Sequence, residues 1–203
     1  METVAVLDFE TTGMSPRLGD RPTEIAVALV REGRIVDRFQ SLMNPQRHIP
    51  AEITRLTGIS NAMVAAAPPV ATVMRAAARF VGACPIVAHN AAFDQRFWQA
   101  ELERLDVDGA APFACTLLLS RRVYPQFRDH RLATVVRSLA LPVTGRAHRA
   151  MVDAEMTSHL WCRLLADVGA AYALGGVTHA LLARAQRAPR QHFGRLLGAP
   201  APA

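Results

Sequence analysis

Two carboxylates one residue apart, Asp8 and Glu10, close the stretch Val4-Ala-Val-Leu-Asp-Phe-Glu-Thr-Thr-Gly13. Val4 to Leu7 is apolar and β-branched enough to form a buried strand. In an extended chain residues i and i+2 point to the same side, so both acids face one spot where Thr11, Thr12 and Gly13 turn the chain. Converging carboxylates repel each other and are costly to desolvate. A divalent cation with oxygen ligands relieves both; a solvated strand end is the plainer alternative. A third acid, Asp94, ends His89-Asn-Ala-Ala-Phe-Asp94, where a short apolar strand runs into a helix. It can act as a ligand or simply as a negative charge at a helix start. In His148-Arg-Ala-Met-Val-Asp153, Asp153 sits in a helix beside Met151 and Val152, and an acid among apolar neighbours wants a partner.

Taken together these are four carboxylates and one titratable base, a set suited to two-metal cleavage of a phosphodiester. Two Mg²⁺ or Mn²⁺ ions need several hard oxygen ligands, some bridging. Asp8, on a rigid strand, is the natural bridge. Glu10 and Asp153 complete the ion near the attacking water, and Asp94 serves the other side. His148, with an ordinary pKa near ~6.5, is suited to take the proton from that water.

These residues need a frame. Glu24 to Val30 reads as a second strand, and Glu32-Gly33 turns it into a third over Arg34 to Leu42. A short helix follows at Ala51 to Leu56. Ser60-Asn61 caps another piece, and Val70 to Val81 carries apolar residues at helical spacing. Pro85 to Ala88 is a buried strand feeding a helix from Asp94 to Leu105. A strand at Pro112 to Cys115 leads into a helix from Thr116 to Val123, and a further helix covers Arg131 to Leu139. Leu141 to Gly145 is a loop before the long helix from about His148 to Val168. Strands first, then strands alternating with helices, predict an α/β fold: a mixed sheet, its three leading strands partly antiparallel, covered by helices.

The 203 residues are enough for one well-packed domain. About half are hydrophobic, yet no apolar run reaches the roughly 18 residues of a membrane span. Met1-Glu-Thr runs straight into the first strand without the pattern of a signal peptide, and Cys84, Cys115 and Cys162 lack metal or disulfide spacing. Reduced thiols and a cytoplasmic location are the expectation. The net charge is +6, with all 23 basic residues arginine. Basic surface around an acidic site suits a polyanion presented to bound metal, although solvated charge alone would also account for it. From Gly169 to Ala203 there is no acid, and Arg184, Arg187, Arg190 and Arg195 stand among Ala and Pro. Thr178 to Ala188 reads as a short amphipathic helix. The division expected is a domain over 1–168 and a basic C-terminal extension over 169–203, partly helical or disordered and loosely packed. A tail that holds nucleic acid or a partner is the alternative.

Three segments in order carry a resemblance: Asp8-Phe9-Glu10-Thr11-Thr12-Gly13, Val87-Ala-His-Asn-Ala-Ala-Phe-Asp94 and His148-Arg-Ala-Met-Val-Asp153. With Glu52-Ile-Thr-Arg-Leu-Thr-Gly-Ile59 between them, the chain resembles the DEDDh 3′–5′ exonucleases of the ribonuclease H-like fold over roughly Thr3 to Ala166. It is most similar to the proofreading type found in the epsilon subunit of bacterial DNA polymerase III. The resemblance implies Asp8, Glu10, Asp94 and Asp153 as metal ligands and His148 as general base. It places Phe9, Thr11 and Thr12 on the terminal nucleotide, and Glu52 and Thr57 near its sugar and base. His89 and Asn90 would brace the site, and Phe93 would be core. The activity implied is metal-dependent removal of nucleoside 5′-monophosphates from single-stranded or frayed 3′ ends of DNA. Action on short RNA, in the manner of oligoribonuclease, is the alternative within the class. A non-catalytic, polymerase-associated nucleic-acid-binding subunit is the alternative outside it. A DNA polymerase or another replication or repair protein is the implied partner, with no membrane involved.

Overall fold

A computed structural model describes residues 2–143, 145 and 148–198, the side chain of Arg190 excepted. Thr144, in the loop expected over 141–145, and the tail's end at 199–203 lie outside the described residues. The sheet has five strands in the order β3-β2-β1-β4-β5: β1 (Val4–Thr11), β2 (Pro22–Arg31), β3 (Arg34–Leu42), β4 (Ile86–Ala88) and β5 (Phe113–Cys115). β1 is central, antiparallel to β2 and parallel to β4. The β2–β3 hairpin closes through Glu32 and Gly33, both at positive φ (54° and 74°). That is the geometry of a two-residue turn matching the twist of the strands. The mixed sheet with antiparallel leading strands is the one expected.

Beside β3, two short helices, α1 (Ala51–Thr57) and α2 (Asn61–Ala65), pack through Ile49, Ile59 and Val64. Ser60 caps α2 by accepting from the Met63 N–H. β1 is long because it is buried on both faces, and its alternation sorts its residues. Ala5, Leu7 and Phe9 join one core with α3 (Val70–Val81) and α4 (Ala92–Glu103), through Val73, Met74, Phe97, Trp98 and Leu102. Val4 and Val6 join a second core with α5 (Thr116–Val123), α6 (Leu132–Ser138) and α7 (Ala150–Ala171), through Leu119, Val135, Leu160, Trp161 and Leu164. Asp8 and Glu10 continue the Val4/Val6 side, so they emerge towards the start of α7.

The expectation of a loosely packed tail is corrected. The helices α8 (His179–Ala185) and α9 (Phe193–Leu196), with the residue after each, bury Leu182, Ala185, Phe193 and Leu197 in the α7 core. His179 Nε2 pairs with the Ile86 carbonyl at 2.9 Å. Gln186 closes the free edge of β5, donating from Nε2 to the Phe113 carbonyl (2.9 Å) and accepting from the Cys115 N–H. A strand edge inside a core must have partners, and this side chain supplies them in place of a sixth strand. The three cysteines are free, and Cys115 is the buried one. No described helix is long and apolar enough to cross a membrane.

Candidate active site

The carboxyl ends of β1 and β4 lie side by side because Ala5 and Val6 pair in parallel with Ile86 and Val87. The two strands therefore deliver Asp8 and His89 to the same edge. Asn90 (φ 66°) turns β4 sharply into α4. This puts Asp94 in the first turn of α4 against β1, where its Oδ1 accepts the Phe9 N–H at 3.1 Å. Asp153 comes from the first turn of α7. Its Oδ2 accepts the His148 N–H at 2.7 Å, and this bond holds His148 in a left-handed turn (φ 64°) just before the helix.

The result is one acidic centre. Ligand atoms of Glu10, His148 and Asp153 all lie within 4.8 Å of one another. Burial drives the Asp8 carboxyl well above its usual range, with Asp94, Asp153 and Glu10 adding repulsion. Burial and then Asp153 push Glu10 up to about 8. Burial also raises Asp94 to about 8 against the opposing Phe9 hydrogen bond. Asp153 is raised by burial as well, opposed by the His148 N–H. Burial and mutual repulsion thus disfavour ionisation throughout this set, and a cation bound among the carboxylates would relieve both. All four acids offer hard oxygen, the donor type that Mg²⁺ and Mn²⁺ take, so the residues present fit divalent ions.

Around this centre runs a cleft of about 720 Å³. Its floor holds Asp8, Phe9, Glu10, Asp94, His148 and Asp153. Thr11 and Thr57 also reach it. Thr57 is buried, accepting from the Ile59 N–H and donating to the Ile53 carbonyl. Two expected contacts are not part of the wall. Glu52 is exposed on α1, and Thr12 turns away to accept the Arg21 N–H at 3.0 Å. His89 is largely buried beside the site: burial lowers it to about 4, so its ring is neutral. Nε2 donates to the His130 carbonyl (3.0 Å), leaving Nδ1 to accept from the Thr116 hydroxyl (2.9 Å). Phe93 packs on Phe97, at 5.0 Å between ring centroids, while also touching the cleft.

Sequence reasoning missed much of the wall. Met14, Ile53 and Leu56 add apolar lining, and Arg121 and Arg131 add positive charge, with Asp129 and His130 beside Arg131. The run Arg128-Asp-His-Arg131 before a helix was a signal for the second group. Nothing local marked the first.

Comparison with known proteins places this arrangement. The Exonuclease family model matches residues 5–160. The chain is 39% identical over 168 residues to "DNA polymerase III PolC-type" of Bacillus subtilis, covering 82% of this chain but 12% of that protein. It is 37% identical over 161 residues to "3'-5' exonuclease DinG" of the same organism, covering 79% of this chain and 17% of the relative. It therefore spans only a small part of the curated relatives it matches. Among solved structures, "Exonuclease X in complex with 5' overhanging duplex DNA" superposes with a TM-score of 0.71 at 26% identity, covering 89% of this chain and 98% of that one. The nuclease domain of 3'hExo, described as a DEDDh family member bound to rAMP, shares the fold (TM-score 0.68, 18% identity, 82% of this chain and 92% of that one). With the family match running from β1 into α7, over more than half of the chain, the chain belongs to the exonuclease family.

Proposed function

We propose that this chain is a metal-dependent 3′–5′ exonuclease that removes nucleoside 5′-monophosphates from single-stranded or frayed DNA ends. The observation that carries the reading is the convergence of Glu10, His148 and Asp153 within 4.8 Å on a cleft floor shared with Asp8 and Asp94. Asp8, Glu10, Asp94 and Asp153 would hold two divalent ions, Mg²⁺ or Mn²⁺. When bound, such ions neutralise phosphate charge and favour both attacking and leaving oxygens of an in-line displacement.

The protein's own residues do the rest. His148, exposed at the cleft, accepts the proton as water attacks phosphorus. The bond from phosphorus to the 3′-oxygen breaks, leaving a 3′-hydroxyl on the shortened strand and the phosphate on the released nucleotide. Asp153 holds the His148 turn through its N–H, and Asp94 holds β1 in register through the Phe9 N–H. The apolar side at Met14, Ile53 and Leu56 suits base faces, and Arg121 and Arg131 suit the backbone. Apolar stacking plus charge accepts any base and favours an unpaired end. The likeness to a PolC-type DNA polymerase III supports a replication or repair setting beside a polymerase.

The test is a gel assay of 5′-labelled single-stranded DNA, duplex DNA and short RNA with Mg²⁺, Mn²⁺ or EDTA, beside Asp8→Ala. A metal-dependent ladder receding from the 3′ end and absent in the variant is expected, fastest on single-stranded DNA. A faster ladder on RNA replaces the substrate. No ladder on any substrate rejects catalysis in favour of a binding subunit.

A further inference from the structure

Glu24 lies on β2 directly opposite Glu10 on β1, is 1% exposed, and is not among the acids that form the metal-fitting centre. Its carboxylate is fully engaged, and mostly by one place in the chain. Arg149 clamps it with two parallel bonds, Nη2 to Oε1 (2.9 Å) and Nε to Oε2 (3.2 Å). The Ala150 N–H donates to Oε2 at 3.1 Å, and Gln40 Nε2 donates to Oε1 at 2.9 Å. Arg149 is the cap residue of α7 and makes no side-chain cap of its own. The first N–H groups of a helix need outside acceptors, and here an acid from another strand serves one of them.

The residue just before this clamp is His148. Its φ of 64° is uncommon for a side chain with a Cβ and persists only where neighbours impose it. Two sets of bonds enclose that turn. The His148 N–H is tied to Asp153, and the next two residues are tied to Glu24. An ion pair with one partner buried and the other partly exposed adds little net stability, but a two-bond fork fixes geometry.

Building on the nuclease reading, we propose that Glu24 and Arg149 are a positioning pair that sets the His148 turn and the first turn of α7, so that His148 and Asp153 meet Glu10. Glu24 touches neither substrate nor metal and acts through the helix start. Neighbours that orient a site's ligands are typically worth about 10–100-fold in affinity or rate.

The charges of the two partners make the test decisive. Glu24→Gln removes a negative charge near the acidic centre; Arg149→Met removes a positive one. Action through charge alone would move Mn²⁺ affinity in opposite directions in the two variants. Positioning moves both the same way. Calorimetric titration of the full chain with Mn²⁺ is expected to show a roughly tenfold weaker site in each. On single-stranded DNA, kcat falls about 10–100-fold in each with KM changed much less. His148→Ala, costing about 10²–10⁴-fold alone, costs about 10–100-fold less when added to Glu24→Gln, because that part of the base's contribution is already lost. Opposite shifts in Mn²⁺ affinity, or an undiminished His148→Ala effect, overturn the proposal. Melting curves identify a Glu24→Gln protein that does not fold; Arg149, at 38% side-chain exposure, then provides the tolerant variant. If the unaltered protein degrades nothing, the nuclease reading fails while the Mn²⁺ titrations still decide this one.

Discussion

Replacing Glu10 by Gln should stabilise the metal-free protein at pH 8 while abolishing its response to metal. Burial and the neighbouring Asp153 raise the Glu10 carboxyl from 4.5 to about 8. An acid raised on folding binds its proton more tightly in the native state. The protonated native state is fully favoured below the unfolded value near 4.5, and that advantage is lost as pH climbs to about 8. At about 1.4 kcal/mol per tenfold, the rise sets an upper bound of roughly 5 kcal/mol. Relaxation and shared titration with Asp94 bring the expected gain for Glu10→Gln at pH 8 to about 2–3 kcal/mol. For a chain of this length, that is roughly 4–12 °C in Tm. At pH 4.5 or below the two proteins should melt together. Thermal melts by circular dichroism in EDTA at pH 4.5 and pH 8 measure the difference. Repeats at pH 8 with Mg²⁺ or Mn²⁺ should raise the wild-type Tm and leave the variant near its EDTA value. A Glu10→Gln protein no more stable than wild type at pH 8 in EDTA, or one that metal stabilises as strongly, would refute the account of a centre strained by its own charge.

Asp153→Ala should lose both Mn²⁺ binding and cleavage, whereas His148→Ala should retain most of the binding and lose rate. An unchanged pH–rate profile in His148→Ala would remove it as the base. Gln186→Ala leaves the Cys115 N–H and the Phe113 carbonyl unpaired in the core. At about 1–3 kcal/mol for each buried orphan, it should lower Tm by roughly 4–24 °C, and a change within about 1 °C would show that the β5 edge has another partner. Truncation after Val168 removes the buried Leu182, Phe193 and Leu197; at about 1.5–3 kcal/mol each it should leave the chain unfolded by circular dichroism. Arg121→Ser and Arg131→Ser should each reduce the salt dependence of single-stranded DNA binding by about 0.7 in log–log slope, measured by fluorescence anisotropy. An unaltered slope would place the strand elsewhere.

The candidate acids and histidine were legible because each part is local. Same-side projection of Asp8 and Glu10 follows from strand geometry, Asp94 from a strand running into a helix, and His148 and Asp153 from the start of one amphipathic helix. The succession of strands and helices along the chain and the hairpin at Glu32-Gly33 were legible for the same reason, since alternation and turn chemistry act over a few residues, whereas the strand order in the sheet depends on pairing between distant segments. Tertiary structure decided what depends on distant partners. Glu24 looked like the first residue of an ordinary strand until the β1–β2 register set it opposite Glu10 and the fold brought Arg149 to it across 125 residues. The apolar and arginine-bearing parts of the cleft lining come from segments that share no sequence pattern. In the tail, short apolar spacing among Arg, Ala and Pro suggested loose packing. Only the uncovered β5 edge and the α7 surface gave Gln186 and the buried leucines something to satisfy. Local backbone geometry thus wrote the chemistry into the sequence, while the scaffold that orients it exists only where remote polar groups and apolar faces are forced to find each other.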